Sequence, residues 1–130
     1  MTIVVGLVPT PAARAALDEA VREAGWRGSR LIVVNAARAG AYVDDDLLGE
    51  EECNAIADRL TAGGVPHEIR RGDGDGDPVD QILAVTEEVE ADLLVIGMRR
   101  RSPVGKFLLG SSAQRLMLDA RCPVLAVKHG

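Results

Sequence analysis

Aromatic side chains are almost absent. The 130 residues hold one tryptophan (Trp26), one tyrosine (Tyr42) and one phenylalanine (Phe107). Proteins that grip single-stranded nucleic acid stack bases on aromatic platforms, so that class is excluded. The core has to be built from Val, Ile, Leu and Ala. Cysteine is scarce as well: Cys53 and Cys122 lie far apart and no CxxC pair occurs. A thioredoxin-like motif and a structural zinc site go with it, and each cysteine is expected to be a small buried hydrophobe. No apolar run approaches the ~20 residues of a membrane helix. The stretch Met1–Thr10 has no basic leader and does not read as a signal peptide. A soluble, cytoplasmic protein without a membrane partner is expected.

Basic charge is short over most of the chain. Residues 1–90 carry 8 basic and 18 acidic side chains, and residues 91–130 carry 7 basic and 2 acidic, for a net −5. An acidic body is a poor duplex-DNA binder, because affinity there comes mainly from neutralising phosphates. No nucleic-acid partner is therefore expected. The basic last third suits either a solvated face or one small anion, and charge alone does not choose. What the chain does have is 47% hydrophobic residues and a length of 130, which fit one globular domain over residues 1–130.

Hydrophobic patterning alternates in type along the chain. Thr2–Val8 is a β-branched apolar run that reads as a strand buried on both faces. Thr10–Pro11 follows as an N-cap and first-turn proline. Ala13, Ala16, Leu17, Ala20, Val21 and Ala24 then recur at helical spacing, with Gly25 expected to end the helix. Arg30–Ala37 is a second buried strand. Asp44, Asp45 and Asp46 read as the acidic start of a helix to about Ala62, suited to its positive end rather than to a metal. Val65–Arg71 is a more polar edge strand. Asp77–Pro78 opens a helix that turns Ile82, Val85 and Val89 inward. Ala91–Gly97 is the most apolar strand. A loop over Met98–Leu109 leads to a helix from Ser111 to about Ala120, and Pro123–Lys128 is the last strand.

Strands alternating with helices imply an α/β fold: one five-stranded parallel sheet with helices on both faces. Right-handed crossovers favour the strand order 3-2-1-4-5. Strands 1 and 4 are then neighbours at the point where the winding reverses, and ligands of such sheets bind outside the carboxyl ends of the strands there. The crevice is expected to be lined by Val8, Pro9 and Thr10, by Gly97 onward, and by the helix start at Gly110, Ser111 and Ser112. Gly97 allows a loop or ligand to come close to the backbone. The helix start offers free N–H groups and positive potential. Arg99, Arg100, Arg101 and Lys106 add charge, and the planar guanidinium fork matches phosphate geometry. The stretch reads as a phosphate cradle or, alternatively, as a long loop with solvated arginines and a serine cap.

The same residues carry a resemblance over essentially the whole chain. The opening TIVVGLVPTP, the Gly76–Ile82 turn GDPVDQI, the strand ADLLVIGM, the stretch RSPVGKFLLGSSAQRL and the closing CPVLAVK are together similar to a universal stress protein domain. The resemblance implies the fold just described, of the adenine nucleotide alpha hydrolase type, and a homodimer formed through the last strand. In one branch it also implies ATP binding through a signature of Gly, two residues, Gly, nine residues, Gly, then Ser or Thr. Gly97 fits the first position and Gly110–Ser111 the last two, while Arg100 stands at the second glycine. Val8 stands where ATP-binding relatives tend to carry an aspartate. Thr10 fits the small hydroxyl of that turn, and Ala36 the strand-2 position whose backbone faces adenine. A side chain at Arg100 either fills the space of a phosphate or supplies a charge in place of backbone contacts.

Other motifs fall away. Gly72–Asp77 reads GDGDGD, but neither a dinucleotide fingerprint nor a calcium loop survives, with Pro78 and Ala84 at the decisive calcium-loop positions. It reads as a turn ending in the Asp77 cap. His67 and His129 have no nucleophile at motif spacing, and no P-loop or nucleophile elbow occurs. The expected function is thus a small stress-response protein that binds ATP or a related adenine nucleotide and signals by its bound state. Arg99, Arg100 and Gly110–Ser112 would hold phosphates, with Pro9, Thr10 and Ala36 near adenosine. The alternative is a dimeric interaction module that binds no nucleotide, and a third reading is a hydrolytic ATPase. The last strand, PVLAVK, is an apolar edge that self-pairing across a two-fold axis would cover.

Overall fold

A strand can be apolar at every position only if both its faces are covered, and three strands of this chain meet that condition. The computed structural model describes residues 1–7, 12–36, 50–71, 77–99 and 110–129. Along the chain these form β1 (Thr2–Leu7), α1 (Ala12–Arg27), β2 (Arg30–Asn35), α2 (Glu50–Ala62), β3 (His67–Arg71), α3 (Pro78–Glu88), β4 (Leu93–Arg99), α4 (Ser111–Asp119) and β5 (Val124–His129). The strands make one parallel sheet in the order β3-β2-β1-β4-β5, the predicted architecture.

Side-chain alternation divides the core into two layers. Ile3, Val5 and Leu7 of β1, with Leu31, Val33, Leu93 and Val95, pack under α1 and α2 through Ala16, Leu17, Ala20, Ala24, Ile56 and Leu60. Val4, Ile32, Val34, Leu94 and Ile96 pack on the other face under Val79 and Ile82 of α3 and Leu116 of α4. Full burial of each large aliphatic side chain contributes about 1.5–3 kcal/mol. The buried core among the described residues is wholly aliphatic, and Trp26 is 72% exposed. Both cysteines are half-buried rather than buried. Cys53 lies on the largely exposed helix α2, and Cys122 packs only at the margin of the second layer.

Several boundaries differ from the sequence expectation, three of them for a local reason that the backbone shows. α1 runs through Gly25 to Arg27. Gly28, at φ +62°, is the left-handed residue that ends it, and Ser29 N–H closes the turn on Ala24 O at 3.0 Å. β3 begins at His67, not Val65: Val65 N–H is spent on Leu60 O, and Pro66 has no N–H to give. β5 begins at Val124, because Pro123 contributes only its carbonyl, to Leu94 N–H at 2.9 Å. β4 starts two residues later than Ala91 and continues past Gly97 through Met98 and Arg99, opposite Lys128 and His129 of β5. β2 ends at Asn35 and α4 at Asp119; β1 spans Thr2–Leu7, and the expected last residue Val8 lies outside the described residues. α3 starts as expected: Asp77 accepts Val79 N–H at 2.8 Å and Pro78 fills the first turn. Asp44, Asp45, Asp46 and most of the GDGDGD stretch lie outside the described residues.

Candidate functional site

The carboxyl edge of the sheet opens between its two central strands. β1 and β4 are in register from Ile3↔Leu93 to Val5↔Val95. Beyond that point β1 stays with β2 as far as Leu7↔Asn35, while β4 stays with β5 as far as Arg99↔His129. Two strands that part in this way leave a crevice at the winding reversal, where open α/β sheets take their ligands. Helix α1 leaves one face of this edge and α4 returns along the other.

Gly97 sits at the parting. A Cβ built on it would lie 2.4 Å from the carbonyl oxygen of Ala12 and 2.8 Å from its Cβ. The close approach that this glycine permits is therefore made by the first turn of α1. Ala36 is fully buried just beyond β2, and its N–H donates to Leu7 O at 3.3 Å, which ties the ends of β1 and β2 together. Asn35, 4% exposed, is a buried polar residue at this end of the sheet.

On the opposite side of the crevice α4 begins at Gly110, which is extended (φ −67°, ψ 161°) and provides no side-chain cap. Gln114 N–H is the first to bond back into the helix, to Gly110 O at 2.9 Å. The N–H groups ahead of it belong to the set that every helix start leaves without an intrahelical partner. No acidic side chain stands in this first turn. Ser111 is exposed, and Gly110 and Ser112 are half-buried. The serines thus follow the cap position; neither occupies it. Such a start suits an anion by both its donors and its dipole.

One turn further on, Arg115 donates to Asp77 Oδ2 at 3.1 Å and to Asp80 Oδ1 at 2.8 Å, joining α4 to the first turn of α3. These bonds, that to Asp80 first, raise the guanidinium's already high pKa. Neither Arg115 nor Asn35 stood among the residues expected to matter. Arg115 lies 38 residues from Asp77 in sequence, and no spacing rule connects them. The polar end of the run RLIVVN was the one available sign of Asn35.

Of the expected site residues, Ala36, Gly97, Gly110, Ser111 and Ser112 lie at this carboxyl edge, as does the backbone of Arg99 at the end of β4. The Arg99 side chain and all of Val8, Pro9, Thr10 and Arg100 lie outside the described residues. Among the described residues no group of three His, Cys, Asp or Glu is placed to hold a metal ion, and no helix is long and apolar enough to cross a membrane. A shallow cleft of about 290 Å³ lies at the opposite, amino end of the strands, between Thr86, Glu87, Glu90, Ala91, Arg121 and Cys122.

Comparison with known proteins agrees with this architecture. The model of the universal stress protein family matches residues 1–128. A universal stress protein of Mycolicibacterium smegmatis is 46% identical over 129 residues, covering 98% of each chain. The solved universal stress protein of Archaeoglobus fulgidus superposes with a TM-score of 0.73 at 31% identity, covering 98% of this chain and 97% of that one. A universal stress protein solved in complex with cAMP superposes with a TM-score of 0.72 at 27% identity, covering 100% and 98%.

Proposed function

The chain belongs to the universal stress protein family, and from that premise we propose that it binds ATP or a related adenine nucleotide between β1 and β4 and acts through the bound state rather than by turnover. The observation that carries this reading is the parting of β1 from β4 beyond Val5↔Val95 beside an α4 start that has no side-chain cap. Gly110, Ser111 and Ser112 hold phosphate oxygens through backbone N–H and hydroxyl groups, with Arg99 and Arg100 adding charge. Pro9, Thr10 and Ala36 border the adenosine. The relative that is 27% identical and holds cAMP supports an adenine nucleotide in this fold.

A homodimer through β5 belongs to the same proposal. At the β3 edge, Arg70 is ion-paired with Glu68 and with Glu88, which covers the strand with charge. At the β5 edge, Val124, Leu125, Ala126 and Val127 are half-buried and carry no charge.

The test begins with purified protein, denatured and searched for released adenine nucleotide, then titrated calorimetrically with ATP. Heat of binding at or below millimolar ATP supports the reading; neither released nucleotide nor heat overturns it. Arg100 in the signature and Val8 at the aspartate position favour a second reading, a dimeric interaction module without nucleotide. Under that reading Arg100→Gly gains ATP binding that the parent lacks. If the arginine instead replaces the glycine's contacts, Arg100→Ala loses binding that the parent has.

A further inference from the structure

We propose that Arg115 is a positioning residue that makes the crevice selective for phosphorylated ligands, by holding Asp77 and Asp80 and offsetting part of their negative charge near the start of α4. This inference rests on the nucleotide-binding reading above and deepens it. α3 and α4 pack on the same face of the sheet, and both start at its carboxyl edge. Their starts differ in charge. α3 has Asp77 as its cap and Asp80 in its first turn, two carboxylates directed at one positive helix end. α4 has neither a side-chain cap nor an acid.

Only one oxygen of Asp77 is used on its own helix, Oδ1 accepting Val79 N–H; Oδ2 faces Arg115. Helical side chains lean toward the helix N-terminus, so the Arg115 side chain is directed toward the turn that holds Ser111 and Ser112 and bonds there to the start of α3. Its two bonds tie Asp77 and Asp80 to α4, and its single positive charge offsets one of their two negative charges. With a neutral side chain at 115, two unpaired carboxylates would border the place where phosphate oxygens approach. At physiological salt, charges within about 8 Å still interact. The repulsion grows with ligand charge, so it discriminates ATP from adenosine without any contact between Arg115 and the ligand.

The experiment is calorimetric titration of the full chain with ATP, ADP, AMP and adenosine. It compares the parent, Arg115→Gln, Asp77→Asn/Asp80→Asn and the triple variant. Asparagine keeps the α3 cap, because it caps helices as well as aspartate does. Arg115→Gln is expected to weaken ATP about three- to five-fold, the scale of one exposed charge contact. ADP and AMP should weaken progressively less, and adenosine should be unchanged. The triple variant should restore ATP to within about two-fold of the parent, since the carboxylates are gone. If Arg115→Gln does not fold, the Asp77→Asn/Asp80→Asn pair decides alone: it removes two negative charges, frees Arg115, and should bind ATP more tightly than the parent.

Equal losses for ATP and adenosine would assign Arg115 a merely structural role and overturn the proposal. So would unchanged ATP binding in Arg115→Gln, or no gain in the double variant. These results leave the nucleotide reading standing. A parent that binds no ATP overturns that reading first and this inference with it.

Discussion

The carbonyl oxygen of Ala12 occupies the space in which a side chain on Gly97 would begin, 2.4 Å from where its Cβ would lie. The neighbour is helix backbone, which cannot swing aside as a side chain would. Gly97→Ala must either lift the first turn of α1 or bend β4 at the parting of the strands. Overpacking usually costs about 1–3 kcal/mol, and with no flexible group to yield the cost here should be at the top of that range, about 3 kcal/mol. Urea denaturation of Gly97→Ala without ligand measures it. A loss below about 1 kcal/mol would show that α1 shifts freely over β4.

Gly6 provides the contrast on the other face. A Cβ there would meet Ile82 Cδ1 at 2.8 Å and Cγ2 at 3.0 Å, the end of a side chain rather than backbone. Gly6→Ala should therefore cost less than Gly97→Ala, about 1–2 kcal/mol. Ile82→Val, which deletes the closest atom, should recover part of that loss in the Gly6→Ala background although it is destabilising alone. A double-mutant cycle with no coupling between the two positions would contradict the geometry.

The two glycines show how far local sequence reaches. The stretches IVVGL and LIVV within β1 and β2 can be apolar throughout only as doubly covered strands, so the sheet and its order were legible from them. That Gly97 matters was also legible; that α1 and not a ligand uses its bareness was not, since Ala12 is far away in the chain. Gly25 and Gly28 are equally plausible helix ends in a linear reading. Side-chain space does not separate them, since a Cβ at either would meet nothing within 4 Å; the backbone does, with Gly28 at positive φ and Ser29 N–H closing the turn on Ala24 O. Arg115 was illegible for the same reason as Ala12, because its partners Asp77 and Asp80 reach it only through the packing of α3 on α4. The candidate site was therefore readable as a segment, but its electrostatic surroundings were not.

Glu90 stands where α1 has Gly28. It has φ +51° after the end of α3, and Ala91 N–H closes the turn on Thr86 O at 3.0 Å. A glycine adopts this conformation without the steric cost that a Cβ brings. Glu90→Gly should raise stability by about 0.5–1 kcal/mol, after allowing for the freer unfolded chain. The urea midpoint should rise with an unchanged slope, and a lower midpoint would refute the assignment.

Cys122 is half-buried at the entry to β5, and burial, with the Asp92 carboxylate adding a smaller push, raises its thiol above the ordinary 9.0. In a Cys53→Ala background, the rate of alkylation by iodoacetamide should rise with pH through a midpoint above 9.0 in the folded protein and near the ordinary value in urea. The sign for stability follows from linkage. The folded state favours the neutral thiol, so this contribution is complete below the unfolded pKa and is lost as pH rises through the folded one. A folded midpoint at or below 9.0 would contradict burial as the dominant influence.

The proposed β5 dimer can be tested without touching the core. Leu94 N–H bonds to Pro123 O, and Leu94 is in register with Val124. In a parallel ladder, the β5 residues that bond to β4 are then Pro123, Leu125 and Val127, which leaves the N–H and carbonyl of Val124 and Ala126 on the open side. Proline at 126 removes an outward N–H and leaves the β4 bonds in place, a substitution that edge strands tolerate. If two copies pair through this edge, Ala126→Pro abolishes the central bonds of the seam and halves the mass seen by sedimentation, while far-UV circular dichroism stays that of the parent. A variant that remains dimeric would move the interface elsewhere, and a parent that is monomeric at micromolar concentration would remove the dimer altogether. On the opposite edge Leu31 N–H bonds to Pro66 O with Leu31 in register with His67, so His67 is an outward residue of β3; the corresponding change there, His67→Pro, should leave the mass unaltered, because β3 is covered by the ion pairs of Arg70 with Glu68 and Glu88.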